Sequence, residues 1–164
     1  MALIKAGQIV DDAFIYVADD AALPAAGPVI VGLERWQSSG EALLRRDEPV
    51  GVRLKSDEPP ELIGAGLGKL AVIALEFPAF RDGRAYSYAR LLREKYGYLG
   101  ELRAVGDVLL EQLHFMVRTG FDAFEIDSED PLGDYHVAAE DFSVWYQPTA
   151  DGRPTAIELR RQQR

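Results

Sequence analysis

The sequence predicts an α/β fold, a mostly parallel sheet of about five strands flanked by helices and preceded by an N-terminal β ribbon. Three observations carry this. Short continuous apolar runs, such as Val29-Ile-Val31 and Leu70-Ala-Val-Ile-Ala-Leu-Glu-Phe77, alternate with stretches of helical periodicity, as in a parallel sheet covered by helices. A length of 164 residues, 48% hydrophobic, is enough for one core without disulfides or structural metals. The first 17 residues hold two apolar runs, Ala2-Leu-Ile4 and Phe14-Ile-Tyr-Val17, around a polar Gly7-Gln8 and an acidic Asp11-Asp12, which suits a small ribbon. Strand order is not fixed by these patterns, so a partial (β/α) barrel is the alternative.

After the ribbon (1–17), the Ala-, Asp- and Pro-rich stretch 18–28 reads as a linker and 29–148 as the α/β domain. Val29–Val31 is its first strand, Glu34–Arg46 a helix weakened by Ser38-Ser39-Gly40, and Val50–Leu54 the second strand. Pro60–Leu67 is a short helix, and Leu70–Phe77 the strongest and most central strand. Asp82 stands at a helix N-cap position, and Ala85, Tyr88, Ala89, Leu92 and Tyr96 fall on one buried helical face that ends near Gly97. Glu101–Val105 is a strand, Asp107 a second N-cap, and Leu109, Leu110, Leu113, Met116 and Val117 the apolar stripe of a helix closed by Gly120. Phe121–Ile126 is a further strand. An acidic loop then leads to an aromatic strand, Phe142–Tyr146, and 149–164 reads as a flexible tail.

Composition narrows the function classes. The absence of cysteine removes thiol nucleophiles, thiolate metal sites and cysteine-ligated clusters. No apolar run has the length of a membrane span, and the N-terminus lacks a signal peptide's apolar segment, so the chain reads as cytoplasmic with no membrane partner. A net charge of −9 argues against nucleic acid. The excess sits in one stretch, from Asp122 through Glu125, Asp127, Glu129, Asp130, Asp134, Glu140 and Asp141 to Asp151, with no Lys or Arg between Arg118 and Arg153. A basic segment containing Arg81, Arg84, Arg90, Arg93, Lys95 and Arg103 precedes it. Such asymmetry reflects either a solvated face or a docking surface.

In parallel α/β architecture, ligands bind beside the loops that leave the carboxyl ends of the strands. The turn Arg81-Asp82-Gly83-Arg84-Ala85-Tyr86-Ser87 joins a strand end to a helix start, where free N–H groups and arginine forks suit an anion. Arg81, Arg84, Tyr86, Ser87 and Asp107 are therefore the anion-binding candidates. The alternative is that Asp82 caps its helix and Arg81 pairs with an acid such as Asp107. Phe115 points away from the Leu109, Leu113 and Met116 face, close to Val108, so a further layer or a partner covers both. Val108, Phe115, Asp127, Glu129 and Asp130 are the partner-interface candidates.

Other motifs carry less. His114 borders an apolar stripe and reads as a packed histidine; His136 lies beside Asp134, yet the spacing fits no metal signature. The acidic loop has Leu132 where a calcium loop needs glycine, so no metal site is assigned. Gly64-Ala-Gly66-Leu-Gly68-Lys69 precedes a strand, whereas nucleotide loops follow one. No nucleophile elbow, zinc-protease helix or cofactor fingerprint is present, so no cofactor is indicated.

The block Glu76–Glu94, EFPAFRDGRAYSYARLLRE, resembles the core of the bacterial family catalogued as domain of unknown function 934. Gly100-Glu-Leu-Arg103-Ala-Val-Gly106-Asp107-Val-Leu and Arg118-Thr-Gly120-Phe121-Asp122-Ala123-Phe124 resemble its further signature blocks, with Leu33-Glu34-Arg35-Trp36 and Gly51-Val52 in the flanks. The family pattern commonly has Thr where Arg81 stands and Cys where Thr119 stands. The resemblance implies a "probable oxidoreductase" label and a gene beside the haemoprotein subunit of assimilatory sulfite reductase; it brings no catalytic residues. The expected function is an accessory or partner protein of sulfite reduction in sulfate assimilation, docking on sulfite reductase or its electron donor. The alternative is an anion-binding enzyme or oxidoreductase using the strand-end Arg and Asp residues. A homo-oligomer is left open.

Overall fold

The structure is a computed structural model. It describes residues 1–140 and 142–162, Glu140 through its backbone only, so Asp141 of the acidic stretch and the last two residues of the expected tail lie outside the described residues. Eight strands form one mixed sheet: β1 (Ala2–Lys5), β2 (Gln8–Val10), β3 (Ile15–Val17), β4 (Val29–Gly32), β5 (Val50–Leu54), β6 (Val72–Phe77), β7 (Glu101–Gly106) and β8 (Ala123–Ile126). The spatial order is β2-β1-β8-β7-β6-β5-β4-β3. From β3 to β8 every pairing is parallel, while β1 runs antiparallel to both β8 and β2. The helices are α1 (Leu33–Leu43), α2 (Arg84–Glu94), α3 (Leu110–Thr119), α4 (Pro131–Glu140) and α5 (Ala156–Gln162), with a 3-10 segment at Pro60–Lys69. None is long and apolar enough to cross a membrane among the described residues.

This sheet cannot lie flat. Its outermost strands, β2 and β3, are consecutive in the chain and joined only by residues 11–14. Eight flat strands at about 4.8 Å spacing would put those edges about 34 Å apart. The chain from Val10 to Ile15 reaches at most about 18 Å. The sheet therefore curls into a half-barrel, and Tyr16 on β3 donates its phenol hydrogen to Glu125 Oε1 on β8 at 2.6 Å across the hollow. The partial-barrel alternative fits.

Each strand then has two kinds of surface. Ile73, Leu75 and Phe77 of β6, Leu102 and Ala104 of β7, and Phe124 and Ile126 of β8 face the helices and join one core with Leu92, Leu113 and Met116. The alternate positions, facing the hollow, include Arg53, Glu76, Glu101, Arg103 and Glu125. At the end of β7, Gly106 adopts φ 91°, and a Cβ there would stand 2.5 Å from the Phe77 carbonyl oxygen, so only glycine lets Asp107 N–H reach that carbonyl at 2.7 Å.

Several expectations need correction. Ile15–Val17 leaves the N-terminal ribbon and becomes the far edge strand, because its apolar Val17 joins the core beside β4. The acidic loop contains helix α4, whose contacts include Tyr135 against Phe124. Phe142–Tyr146 is not a sheet strand; only Trp145 forms an isolated bridge, with Thr155. Thr155 and Ala156, in the stretch expected as a tail, are buried at the start of α5, and Asp151 pairs with Arg118 at 3.1 Å. Asp82 and Asp107 do not sit at the N-caps: Gly83 and Leu109 do.

Candidate functional site

The hollow of the sheet is ionic. Arg103, only 1% exposed, is held by Asp12 (Nη1–Oδ2 2.7 Å, Nη2–Oδ1 3.2 Å), Glu101 (2.8 Å) and Glu125 (3.1 Å). Burial opposes the Arg103 charge, but the hydrogen bonds it donates to Asp12 and Glu101 more than restore it, and the guanidinium is held above its ordinary pKa. Phe14 covers Arg103, its ring centre 5.8 Å from the guanidinium carbon. Burial first, then the hydrogen bond to Glu125, push the Tyr16 phenol well above its usual value. Lys5 adds a pair with Glu101 at 2.7 Å. Segment 11–14 thus seals one part of the hollow with Asp12 and Phe14.

Above this sealed part, the hollow opens as a cavity of about 490 Å³ at the carboxyl ends of β3 to β6. Tyr16, Val17, Asp19, Ile30, Leu33, Glu34, Arg53, Lys55, Glu58 and Glu76 line it. Arg53 pairs with Glu76 at 3.2 Å and stands 5.9 Å from the Tyr16 ring centre. Gly32 ends β4 and caps α1 without a side-chain bond, and a Cβ there would meet the Asp19 carboxylate at 2.8 Å.

The loops leaving the same carboxyl ends make an acidic rim. It carries Asp19 and Asp20 after β3, Glu34 after β4, and Asp57 and Glu58 after β5. Asp82, Asp107 and then Asp127, Glu129 and Asp130 follow β6, β7 and β8. Against them stand Arg35, Lys55, Arg81 and Arg84. Arg35 is spent on the backbone carbonyls of Asp19 and Ala21. The opposite edge mixes Arg45, Arg46, Lys69, Lys95 and Arg118 with Asp47, Glu48, Glu61 and Asp122. The carboxyl-end rim is the more acidic of the two edges, although the acidic stretch of the sequence is not one patch: Asp122 pairs with Arg93 on the opposite edge, at 2.8 Å. Burial raises the Asp122 carboxyl above its ordinary value despite that arginine and the Leu102 N–H it accepts.

The anion-binding candidates do not meet in one notch. Arg84 turns back to Asp82, bonding it through Nε at 2.9 Å and Nη2 at 2.6 Å, and reaches Ser56 Oγ at 2.9 Å. Its hydrogen bonds, with those of Ser56, hold the Asp82 carboxyl well below the usual carboxylate range. Tyr86 packs edge-on against Phe77 at 5.1 Å and lines a different, apolar groove with Phe80, Gln112, Phe115 and Thr119. Ser87 is exposed on α2. Arg81 and Asp107 are exposed, and among the described residues neither forms an ion pair, so the anticipated Arg81–Asp107 bridge is absent there.

Of the interface candidates, Phe115 is 59% exposed, and Asp127, Glu129 and Asp130 are exposed, Asp127 bonding the N-terminal ammonium at 3.2 Å. Val108 is a correction: it is buried in the core, because the turn after β7 folds inward before α3 begins at Leu110. His114 is a packed histidine that accepts the Trp145 indole N–H at 3.2 Å. Sequence reasoning missed the ionic hollow entirely. Its signal was a charge inside almost every apolar run: Arg53, Glu76, Arg103 and Glu125.

A half-barrel with a polar hollow, a half-open cavity at its carboxyl mouth and an acidic rim beside that cavity defines this α/β protein. The chain matches the family described as "Bacterial protein of unknown function (DUF934)" over residues 51–157, and it belongs to that family. No curated protein matches it.

Proposed function

We propose that this chain is an accessory protein of assimilatory sulfite reduction that docks, through its acidic rim, on a basic face of the sulfite reductase haemoprotein subunit or its electron donor. The acidic rim is the observation that carries this reading: six consecutive parallel strands all deliver carboxylates to one edge, and of the four bases there Arg35 and Arg84 are engaged in local contacts. Complementary charge of this kind speeds encounter between redox partners more than it tightens their complexes. The context comes from the family resemblance. Mixing the chain with the haemoprotein subunit at low salt should give co-elution that fades as salt rises. A triple reversal, Asp127→Lys, Glu129→Lys and Asp130→Lys, should weaken it. Independent elution of both proteins at low salt ends the proposal.

A second reading, an anion-binding enzyme or oxidoreductase at the 81–87 turn, is favoured by Arg81 and Asp107, which stand exposed at the rim without ion pairs among the described residues. A flavin or haem band in freshly purified protein would promote it. An Arg81→Ala variant that binds sulfite and phosphate like the parent would remove it.

A further inference from the structure

We propose that the cavity at the mouth of the half-barrel binds a small zwitterion of the amino-acid type, its carboxylate on Arg53 and Lys55 and its ammonium against Asp19 and Glu34. This site shares Asp19, Glu34, Lys55 and Glu58 with the acidic rim, but the argument for it does not depend on the docking reading. The volume, about 490 Å³, lies in the range of small-molecule sites, and the position is where parallel α/β sheets bind ligands.

The wall chemistry sets the class of ligand. Arg53 is held in place by the Tyr16 ring on one side and Glu76 on the other, yet that single contact at 3.2 Å uses little of its donor fork. The ammonium of Lys55 has no ion pair among the described residues, and its position one residue beyond β5 brings it to the same wall. Together they make a seat for one carboxylate. Facing them, Asp19 and Glu34 have no ion pair among the described residues. Among the described residues Glu58 accepts only the Lys55 backbone N–H, at 2.8 Å. Acids therefore outnumber bases around the cavity, so a bare anion meets net repulsion and a bare cation leaves the arginine fork unfilled. A ligand carrying both charges satisfies both walls. Val17, Ile30 and Leu33 supply an apolar surface for the remainder of the molecule.

The test uses three probes sharing one side chain: L-leucine, 4-methylvalerate, which lacks the ammonium, and isoamylamine, which lacks the carboxylate. Each is titrated into the full chain while the amide resonances of Gly32, Glu34 and Lys55 are followed by NMR. L-leucine should give saturable shifts in the low millimolar range or tighter, with the other two binding on the order of tenfold more weakly, as loss of one charge-assisted hydrogen bond requires. Arg53→Gln and Glu34→Gln should each weaken L-leucine by a similar factor. Glu34 is exposed and unpaired among the described residues, so its variant folds even if Arg53→Gln does not. Absence of saturable shifts with L-leucine, equal binding of either single-charge probe, or unchanged affinity of the Glu34→Gln protein overturns the proposal.

Discussion

The two faces of the sheet in this protein are built on opposite principles. The face toward the helices is a continuous apolar layer in which Ile73, Leu75, Phe77, Leu102 and Phe124 are buried to 1% exposure or less. The face toward the hollow buries Arg103 itself, although Asp12 and Tyr16 beside it reach solvent, and it is held by charge: one guanidinium, three carboxylates and a phenol. Apolar packing loses what is removed and little more, whereas an ionic cluster in a dry place is only as good as its completeness. The two faces should therefore fail differently.

The largest effects test that directly. Arg103→Leu leaves Asp12, Glu101 and Glu125 facing one another and should cost about 3–5 kcal/mol, measured by urea unfolding. Adding Asp12→Asn, Glu101→Gln and Glu125→Gln to Arg103→Leu should recover much of that loss, because the uncompensated charges go with the guanidinium. Phe77→Ala should cost a comparable 3–5 kcal/mol, but no change on the polar face should restore it. If the fourfold variant is no more stable than Arg103→Leu alone, the contrast between the faces is wrong.

A smaller loss, about 1–3 kcal/mol, is expected for Gly106→Ala, since the new methyl group meets the Phe77 carbonyl at a φ that side chains avoid. Alkaline titration separates the faces by another route. Burial pushes the Tyr86 phenol up to about 12, and Tyr16 in the hollow higher still. Both stay protonated in the folded chain while the unfolded chain ionises near pH 10. Their contribution to stability is thus complete below about pH 10 and is lost as pH rises toward 12 and beyond. Tyrosinate absorbance should lag that of the urea-unfolded chain, and Tyr16→Phe should remove part of the lag. The smallest effect on stability belongs to the rim: reversing Asp127, Glu129 and Asp130 should shift unfolding by no more than about 0.5 kcal/mol while weakening salt-sensitive docking.

Much of the sheet was legible because Val50–Leu54 and Leu70–Phe77 are apolar runs bounded by turn residues, and periodicity placed α2 and α3 within a few residues of their observed spans. The curl was less so. A flat, doubly covered sheet is apolar on both faces, so Arg53, Glu76, Arg103 and Glu125 inside strands were themselves the evidence for a hollow. The site residues were misjudged for a related reason. Arg84 looked available by its place at a helix start, but Asp82, two residues before it, is the nearest carboxylate and takes the guanidinium. Lys55 and Glu34 gave no motif; only the bending of the sheet brings them to one cavity. Helix α4 escaped notice because its acidic, glycine-containing sequence has weak amphipathic patterning.

The antiparallel seam between β1 and β8, which pairs Ala2 with Ile126, ties the beginning of the chain to a strand more than a hundred residues later. During synthesis the first hairpin leaves the ribosome long before its neighbour exists, and Asp12 has no Arg103 to grip. Closure of the hollow is then a late event in folding, governed by loop entropy over most of the polypeptide.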